Sequence, residues 1–399
     1  MRIVWIAVIV LLSACSVREK PAARFLSHPD MAASCPYITH DAAGNLAISW
    51  IETDTANNSF IYYTISPDQG ETFAAPVQVS SSAGVYPHDE NLPKILFKPD
   101  GSIVAMFGTE ANDARNKYAG KVMYTQSFDS GRTWQSAMPL VTDTAGYDQR
   151  YFDMALLPNG EAAAIWLDNR KTASAEGSTL YFAATSGRNG FGAANPVVET
   201  VCQCCRTKLL VDGKGAVHLV YRDIINDSIR DMVHQVSVDN GQHFSMPVRI
   251  SADNWVVNGC PHTGPALGVN KAGLHFAWFT MGHGKGIFYC RSLDNGNTYT
   301  QKESLSDAPM AKHPQLAIAG EGDVYIAWDE PVKVGDDFNS RIGFVHKSPD
   351  GKTISSAPLT SDSTYANFPV VGTAGDKVMV VYKQRVGKST AVACQVLLP

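Results

Sequence analysis

The first feature of this 399-residue chain that could do chemistry is its set of eight cysteines. Three of them lie together in the segment 202–205, Cys-Gln-Cys-Cys, while Cys35 and Cys260 stand apart. Cys15 falls in an export signal described below, which leaves an odd number of thiols. In an oxidising compartment, an odd number predicts a free thiol, a metal site or an intermolecular bond.

Three uses of these thiols stay open. They could form structural disulfides, including one from segment 202–205 to Cys260, or one thiol could be reactive beside Arg206. They could also bind a soft metal together with imidazoles, which favours copper as Cu(I), or zinc, over magnesium or calcium. The candidate ligands are Cys202, Cys204, Cys205, Cys260, His262, Cys35 and His313. Cys290 and Cys394 are predicted to be small buried apolar residues.

An internal repeat shows which elements must position these side chains. The octet Ser-x-Asp-x-Gly-x-Thr-aromatic begins at residues 66, 127, 237 and 292, with His in place of Thr in the third copy, and two eroded copies begin at residues 186 and 348. Its Asp can accept hydrogen bonds from the turn and its Gly supplies a positive φ, so the octet predicts a β-hairpin.

A second repeat consists of short alternating strands that end in an aromatic residue, each after a glycine-containing turn. The seven aromatic ends are Trp50, Phe107, Trp166, Tyr221, Trp278, Trp328 and Tyr382. Together the two repeats predict an all-β, seven-bladed propeller of four-stranded antiparallel blades. The last blade lacks a fourth strand, so we expect segment 23–27 to complete it and close the ring. A six-bladed ring is the alternative.

The octets resemble the Asp-box, or BNR, repeats of the sialidase superfamily. That resemblance implies a propeller whose hydrolases clamp a carboxylate with three arginines and use a Tyr nucleophile, a Glu and an acid/base Asp. The family's Arg-Ile-Pro motif is absent from this chain, so we expect a site diverged from standard sialidases. The first strand of each blade starts at the face where the second ends, which gives catalytic candidates by position alone: Asp153, Tyr151, Arg150, Arg206, Arg222 and Glu330.

The first residues have the pattern of a lipoprotein signal. Arg2 precedes an apolar run over residues 3–12, which is too short to span a bilayer, and Leu-Ser-Ala-Cys follows at residues 12–15. We therefore expect a signal peptide over residues 1–14, lipidation of Cys15, a tether over 15–22 and one propeller domain over 23–399. The outer membrane of a bacterial envelope is the expected location.

The net charge of −5 and the lack of a basic run argue against nucleic-acid binding. Three hypotheses remain: an envelope-anchored propeller that binds or processes a polar, glycan-type or other small ligand in its central funnel, a copper or zinc protein, or a non-catalytic scaffold for another envelope protein. Whether the chain is an enzyme is left open, since fold alone does not fix function.

Overall fold

The computed structural model describes residues 23–397 except 144, 171–175 and 260. Cys15, the signal, the tether and Cys260 therefore lie outside the described residues. Within the described part, the chain is all-β apart from one 3₁₀ turn, Ser80–Ser82. No helix among these residues is long and apolar enough to cross a membrane.

The strands follow one another as units of four, innermost strand first. The chain begins with β1 (Arg24–Phe25) and continues with β2 (Ala32–His40), β3 (Leu46–Thr53), β4 (Ser59–Ser66) and β5 (Val77–Gln78). The second unit has β6 (Lys94–Phe97), β7 (Ile103–Glu110), β8 (Gly120–Ser127) and β9 (Met138–Pro139). The third has β10 (Gln149–Leu156), β11 (Ala162–Asp168), β12 (Ser178–Ala184) and β13 (Asn195–Val201). The fourth has β14 (Lys208–Val211), β15 (Val217–Ile225), β16 (Ile229–Ser237) and β17 (Val248–Arg249).

The remaining units repeat this order. They are β18 (Ala266–Asn270), β19 (Gly273–Thr280), β20 (Gly286–Ser292) and β21 (Glu303–Ser304), then β22 (Lys312–Ala319), β23 (Asp323–Val334), β24 (Asp337–Lys347) and β25 (Thr353–Ser356). The last has β26 (Ala366–Ala374), β27 (Lys377–Val386) and β28 (Ser389–Leu397). The third and fourth units are hydrogen-bonded into one eight-stranded sheet where Val201 pairs with Asp223. Because two units share a sheet, the seven-blade count stays a prediction.

The ring closes through the first strand of the chain. Arg24 of β1 lies opposite Cys394 of β28, and Phe25 lies opposite Ala393. The Arg24 guanidinium also donates to the backbone carbonyls of Gly70 and Glu71, which belong to the first unit. The innermost strands contact their neighbours in turn, from β2 through β26 and back to β2. The predicted all-β propeller, with ring closure by an N-terminal strand, is confirmed.

The aromatic strand ends form the core between units. All seven are buried, and Trp50, Trp166 and Tyr221 have no exposed surface at all. Several are also held by a carboxylate, since the Trp50 indole donates to Glu52 Oε1 at 2.7 Å. The aromatic repeat is therefore a packing device that fixes how one sheet lies on the next.

The octets join neighbouring units. In the first, Thr72 N donates to Asp68 Oδ1 at 2.7 Å and Gly70 N donates to Ser66 Oγ at 2.7 Å. Each octet glycine has a positive φ and lies against the third strand of the preceding unit, as Gly131 lies against Tyr63. The octet is thus a structural hairpin and not part of a reactive site.

Candidate functional site

Four innermost strands carry a β-bulge at the same place near their start. The register of each strand shifts around one residue with left-handed backbone: Cys35 (φ 57°), Tyr151 (φ 54°), His313 (φ 55°) and Phe368 (φ 49°). His262 (φ 51°), just before β18, has the same conformation. Such backbone is strained for residues other than glycine. A bulge re-aims side chains, so its repetition marks this end of the ring, the mouth, as the candidate site.

The loop between β13 and β14 brings three cysteine sulfurs together at the mouth. Cys202 Sγ lies 3.6 Å from Cys204 Sγ and 3.8 Å from Cys205 Sγ, and all three side chains are buried. Arg230 Nη1 lies 3.3 Å from Cys202 Sγ. Among the residues that the structure describes, this is the one group of three or more His, Cys, Asp or Glu side chains placed to hold a metal ion.

The three thiols differ in their electrostatics. Hydrogen bonds with the Cys204 and Cys205 sulfurs, with help from the Arg222 charge, lower the pKa of Cys202. The same hydrogen bond to Cys202 raises the pKa of Cys204, while burial raises the pKa of Cys205. Within the group, Cys202 is therefore the sulfur that most readily carries a negative charge.

Beside the cysteines, a buried carboxylate faces a guanidinium and an imidazole. Glu90 Oε1 lies 3.9 Å from Arg206 Nη1 and 3.9 Å from His313 Nε2. Neither carboxylate oxygen of Glu90 has a hydrogen-bond partner within the described chain. Burial raises the pKa of Glu90, against the lowering effect of Arg206. His313 is itself held by Asp329, whose Oδ2 lies 2.7 Å from His313 Nδ1.

A cleft of about 540 Å³ opens next to this group, and we call it the mouth cleft. It is lined by Tyr86, His88, Asn91, Gly108, Thr109, Glu110, Asn116, Lys117, Tyr118, Ala119, Gly120, Arg150, Tyr151, Gln203, Cys204 and His262. Tyr118 is 70% exposed at the rim, and the buried Tyr151 meets His88 edge to face at 6.0 Å. The cleft thus combines exposed aromatic faces with a few charged groups.

The structure brings some of the sequence-predicted residues together. Cys202, Cys204 and Cys205 form one group, and Cys204 lines the mouth cleft with His262, Arg150 and Tyr151. Arg206 and His313 meet at Glu90, the next group along the mouth.

Four other predicted residues are engaged elsewhere. Cys35 contacts Asp89, with its Sγ 3.6 Å from Asp89 Oδ1, and is not among the clustered sulfurs. Asp153 is buried between Lys94 and Lys208. Glu330 accepts hydrogen bonds from Trp328, Arg341 and Ser306. Arg222 donates to the backbone carbonyls of Arg230 and Phe279. Cys260 and any disulfide to it lie outside the described residues.

Sequence reasoning missed several site residues. Arg230 reaches Cys202 from the neighbouring β16, and no local pattern marks it. Tyr86 and Tyr118 come from the connections on either side of β6 and β7. The polar nine-residue connection 111–119 was a usable signal, because long loops at one end of a propeller commonly carry function.

The three arginines expected of a sialidase do not converge. Besides Arg230, five arginines lie near the starts of first strands or the ends of second strands: Arg150, Arg170, Arg206, Arg222 and Arg385. Of these, Arg150 alone lines the mouth cleft. Arg170 pairs with Asp168 and Asp143, and Arg385 lies over the Tyr365 ring.

No family model and no curated protein matches this chain. Among solved structures, the intramolecular trans-sialidase from Ruminococcus gnavus is 7% identical, with a TM-score of 0.53, and the match covers 95% of this chain and 97% of that one. The polysaccharide lyase Uly1 is 12% identical with a TM-score of 0.54, covering 92% and 89%. The Hadza microbial sialidase Hz136 is 16% identical with a TM-score of 0.51, covering 75% and 63%. At these identities the likeness concerns the fold alone: the chain is a sialidase-like β-propeller.

Proposed function

We propose that this protein is an envelope-anchored propeller that binds a polar, glycan-type ligand in its mouth cleft. The observation that carries the proposal is the make-up of the cleft, whose lining combines two exposed tyrosines with charged and amide side chains. Ligand sites typically combine apolar or aromatic walls with a small number of placed polar groups.

The cleft chemistry suits a carboxylate-bearing sugar. Tyr86 and Tyr118 offer partly exposed rings that can cover the apolar face of a sugar ring. Arg150 lines the cleft and pairs with Asp148, leaving guanidinium donors for a ligand carboxylate. Glu110 and Asn116 line the same cleft and can bind hydroxyl groups.

Binding is favoured over standard sialidase hydrolysis. Of the carboxylates that could activate a Tyr, Glu52 is engaged by Trp50 and His28, and Glu330 by Trp328. Glu110 lines the mouth cleft with Tyr151, but among the described residues no hydrogen bond joins it to the Tyr151 hydroxyl. Burial raises the pKa of Tyr151, against the lowering effect of Arg150, so its phenol stays protonated at neutral pH. A nucleophile needs activation by a base or a lowered pKa, and Tyr151 shows neither.

The proposal is tested by binding of sialylated and uronate-containing oligosaccharides to the wild-type chain, measured by calorimetry. Tyr118→Ala and Arg150→Gln should each raise Kd about tenfold or more, because each removes a contact worth about 1.4 kcal/mol. Phe338→Ala is the control, since Phe338 is equally exposed (75%) but lies on the β23–β24 hairpin outside the cleft. Absence of binding to every probe, or equal loss in the control, would refute the proposal.

The envelope anchor rests on Cys15 and the apolar run before it. Cys15→Ala should abolish incorporation of labelled fatty acid and move the protein out of the membrane fraction. Retention of the label in this variant would contradict lipidation at Cys15.

A further inference from the structure

We propose that Cys202, Cys204 and Cys205 form a trithiolate site for one thiophilic d¹⁰ cation, Cu(I) or Zn(II). The site adjoins the mouth cleft, which Cys204 also lines, but the proposal does not depend on glycan binding. Its basis is the placement of three buried sulfurs on one loop, facing one another, with an arginine against them.

The sulfur spacing fits metal coordination. Zn–S bonds of about 2.3 Å in a tetrahedral site place neighbouring sulfurs about 3.8 Å apart. The distances from Cys202 Sγ to the other two sulfurs are 3.6 and 3.8 Å, and all three ligand atoms lie within 4.8 Å of one another. All three sulfurs can therefore coordinate a single ion while the loop keeps its observed conformation.

The backbone holds the ligands in this arrangement. Cys202 N donates to the Arg222 carbonyl at 2.8 Å, which fixes the start of the loop on β15. Cys205 N lies 3.4 Å from the Cys202 carbonyl, so a tight turn places these two residues side by side. Thr207 Oγ1 donates to the Tyr151 carbonyl at 2.9 Å and fixes the other end. A loop fixed at both ends loses little freedom when it binds an ion.

Two buried arginines stabilise negative sulfur there. Arg230 contacts Cys202 Sγ at 3.3 Å and is itself held by the Val257 carbonyl and by Glu176. Arg222 lies behind the loop, with its guanidinium fixed by two backbone carbonyls. Groups that surround the ligands in this way orient them and tune metal affinity.

The ligand set selects the class of ion. Three sulfurs without an oxygen ligand favour Cu(I) or zinc and disfavour magnesium and calcium. Cu(I) would be satisfied by the three thiolates. Zn(II) usually takes a fourth ligand, and the mouth cleft could supply it, because Cys204 and His262 line the same cleft.

The test is a metal titration of the reduced full chain without oxygen, in competition with a chromophoric Cu(I) chelator and, separately, a zinc chelator. We expect one ion per chain by elemental analysis, with a sulfur-to-metal absorption band. Cys202→Ala and Cys204→Ala should each weaken binding more than about a hundredfold, and Arg230→Gln about tenfold. Preference for one ion over the other identifies the metal.

Matched controls separate a lost ligand from a damaged fold. Cys290→Ala and Cys394→Ala also remove buried cysteines, but on β20 and β28, and should bind the metal like the wild type. The Tyr118→Ala variant should bind metal like the wild type even if it no longer binds glycans. The metal proposal and the glycan proposal can therefore fail independently of each other. The metal proposal is wrong if the reduced, folded chain binds neither ion, or if peptide mapping of the native protein finds these cysteines in disulfides.

Discussion

Among single residues, Asp153 is a carboxylate at the start of a strand that stabilises the fold. Its carboxylate lies 3.3 Å from Lys94 Nζ and 3.6 Å from Lys208 Nζ, and it accepts from Leu209 N at 2.9 Å. Burial raises the pKa of Asp153, but the two lysines outweigh it and leave that pKa below its usual value. Asp153 therefore links three neighbouring innermost strands, β6, β10 and β14.

Asp153→Ala should lower the free energy of unfolding by about 3 kcal/mol, because it leaves the buried Lys94 without its partner. Urea denaturation at neutral pH measures the loss. Glu71→Ala, which removes an exposed ion pair with Lys377, is the control and should change stability far less. Because the folded pKa of Asp153 is lowered, its contribution is present above the unfolded pKa and fades as the solution becomes more acidic. An unchanged unfolding curve for Asp153→Ala would show that the lysines find other partners.

The same residue explains why the site was predictable only in part. The repeat predicts Arg150, Tyr151 and Asp153 at the mouth, because they lie at the start of one strand. The bulge at Tyr151 breaks the alternation, so Arg150 and Tyr151 line the cleft while Asp153 joins the lysines. The three clustered cysteines were foreseeable because one short loop carries them all. Cys35 was separated from them by its own bulge, which no hydrophobic pattern reveals.

At the scale of the element, the octet hairpin contributes twice to stability. Its side chains close the turn, and in every copy after the first its glycine lies against an aromatic ring of the preceding unit. Gly131 has φ +86°, and a Cβ there would overlap the Tyr63 hydroxyl, whereas the ring carbon Cζ lies 3.4 Å away. This element was fully predictable as a turn, because its signals are local in sequence. Its contact with the preceding unit was not, because Tyr63 lies 68 residues away in the sequence.

Gly131→Ala should destabilise the protein by about 3 kcal/mol, from a left-handed alanine and from the overlap with Tyr63. Gly101→Ala is the control, since Gly101 has φ +82° with nothing near its would-be Cβ, and should cost about 1 kcal/mol. Tyr63→Phe removes the overlapping oxygen, so the added cost of Gly131→Ala should shrink in that background. Chemical denaturation of Gly131→Ala, Gly101→Ala, Tyr63→Phe and the Gly131→Ala/Tyr63→Phe double variant measures these free energies. Equal losses of stability for the two glycine substitutions would mean that the contact with Tyr63 does not contribute to stability.

At the scale of the whole molecule, the ring depends on a two-residue strand. Arg24 and Phe25 pair with β28, Leu26 N donates to the Val392 carbonyl at 2.9 Å, and Val392 N donates to Ser27 Oγ at 3.1 Å. Closure removes the exposed edge of the last sheet, which would otherwise be free to pair with another chain. The missing fourth strand of the last unit made this closure predictable, because a propeller needs every blade complete.

The register of that closing pair can be tested with a cysteine already in the chain. Arg24 lies opposite Cys394, and the Arg24 side chain acts on the Cys394 thiol, so the two share a face. Arg24→Cys should therefore form a disulfide with Cys394 on oxidation, joining the two ends of the ring. The bond should raise the free energy of unfolding by about 2–4 kcal/mol, an effect that a reductant reverses. Phe25→Cys is the control, because it lies opposite Ala393 and should not crosslink. If peptide mapping finds the crosslink in Phe25→Cys and not in Arg24→Cys, the strand closes the ring in a different register.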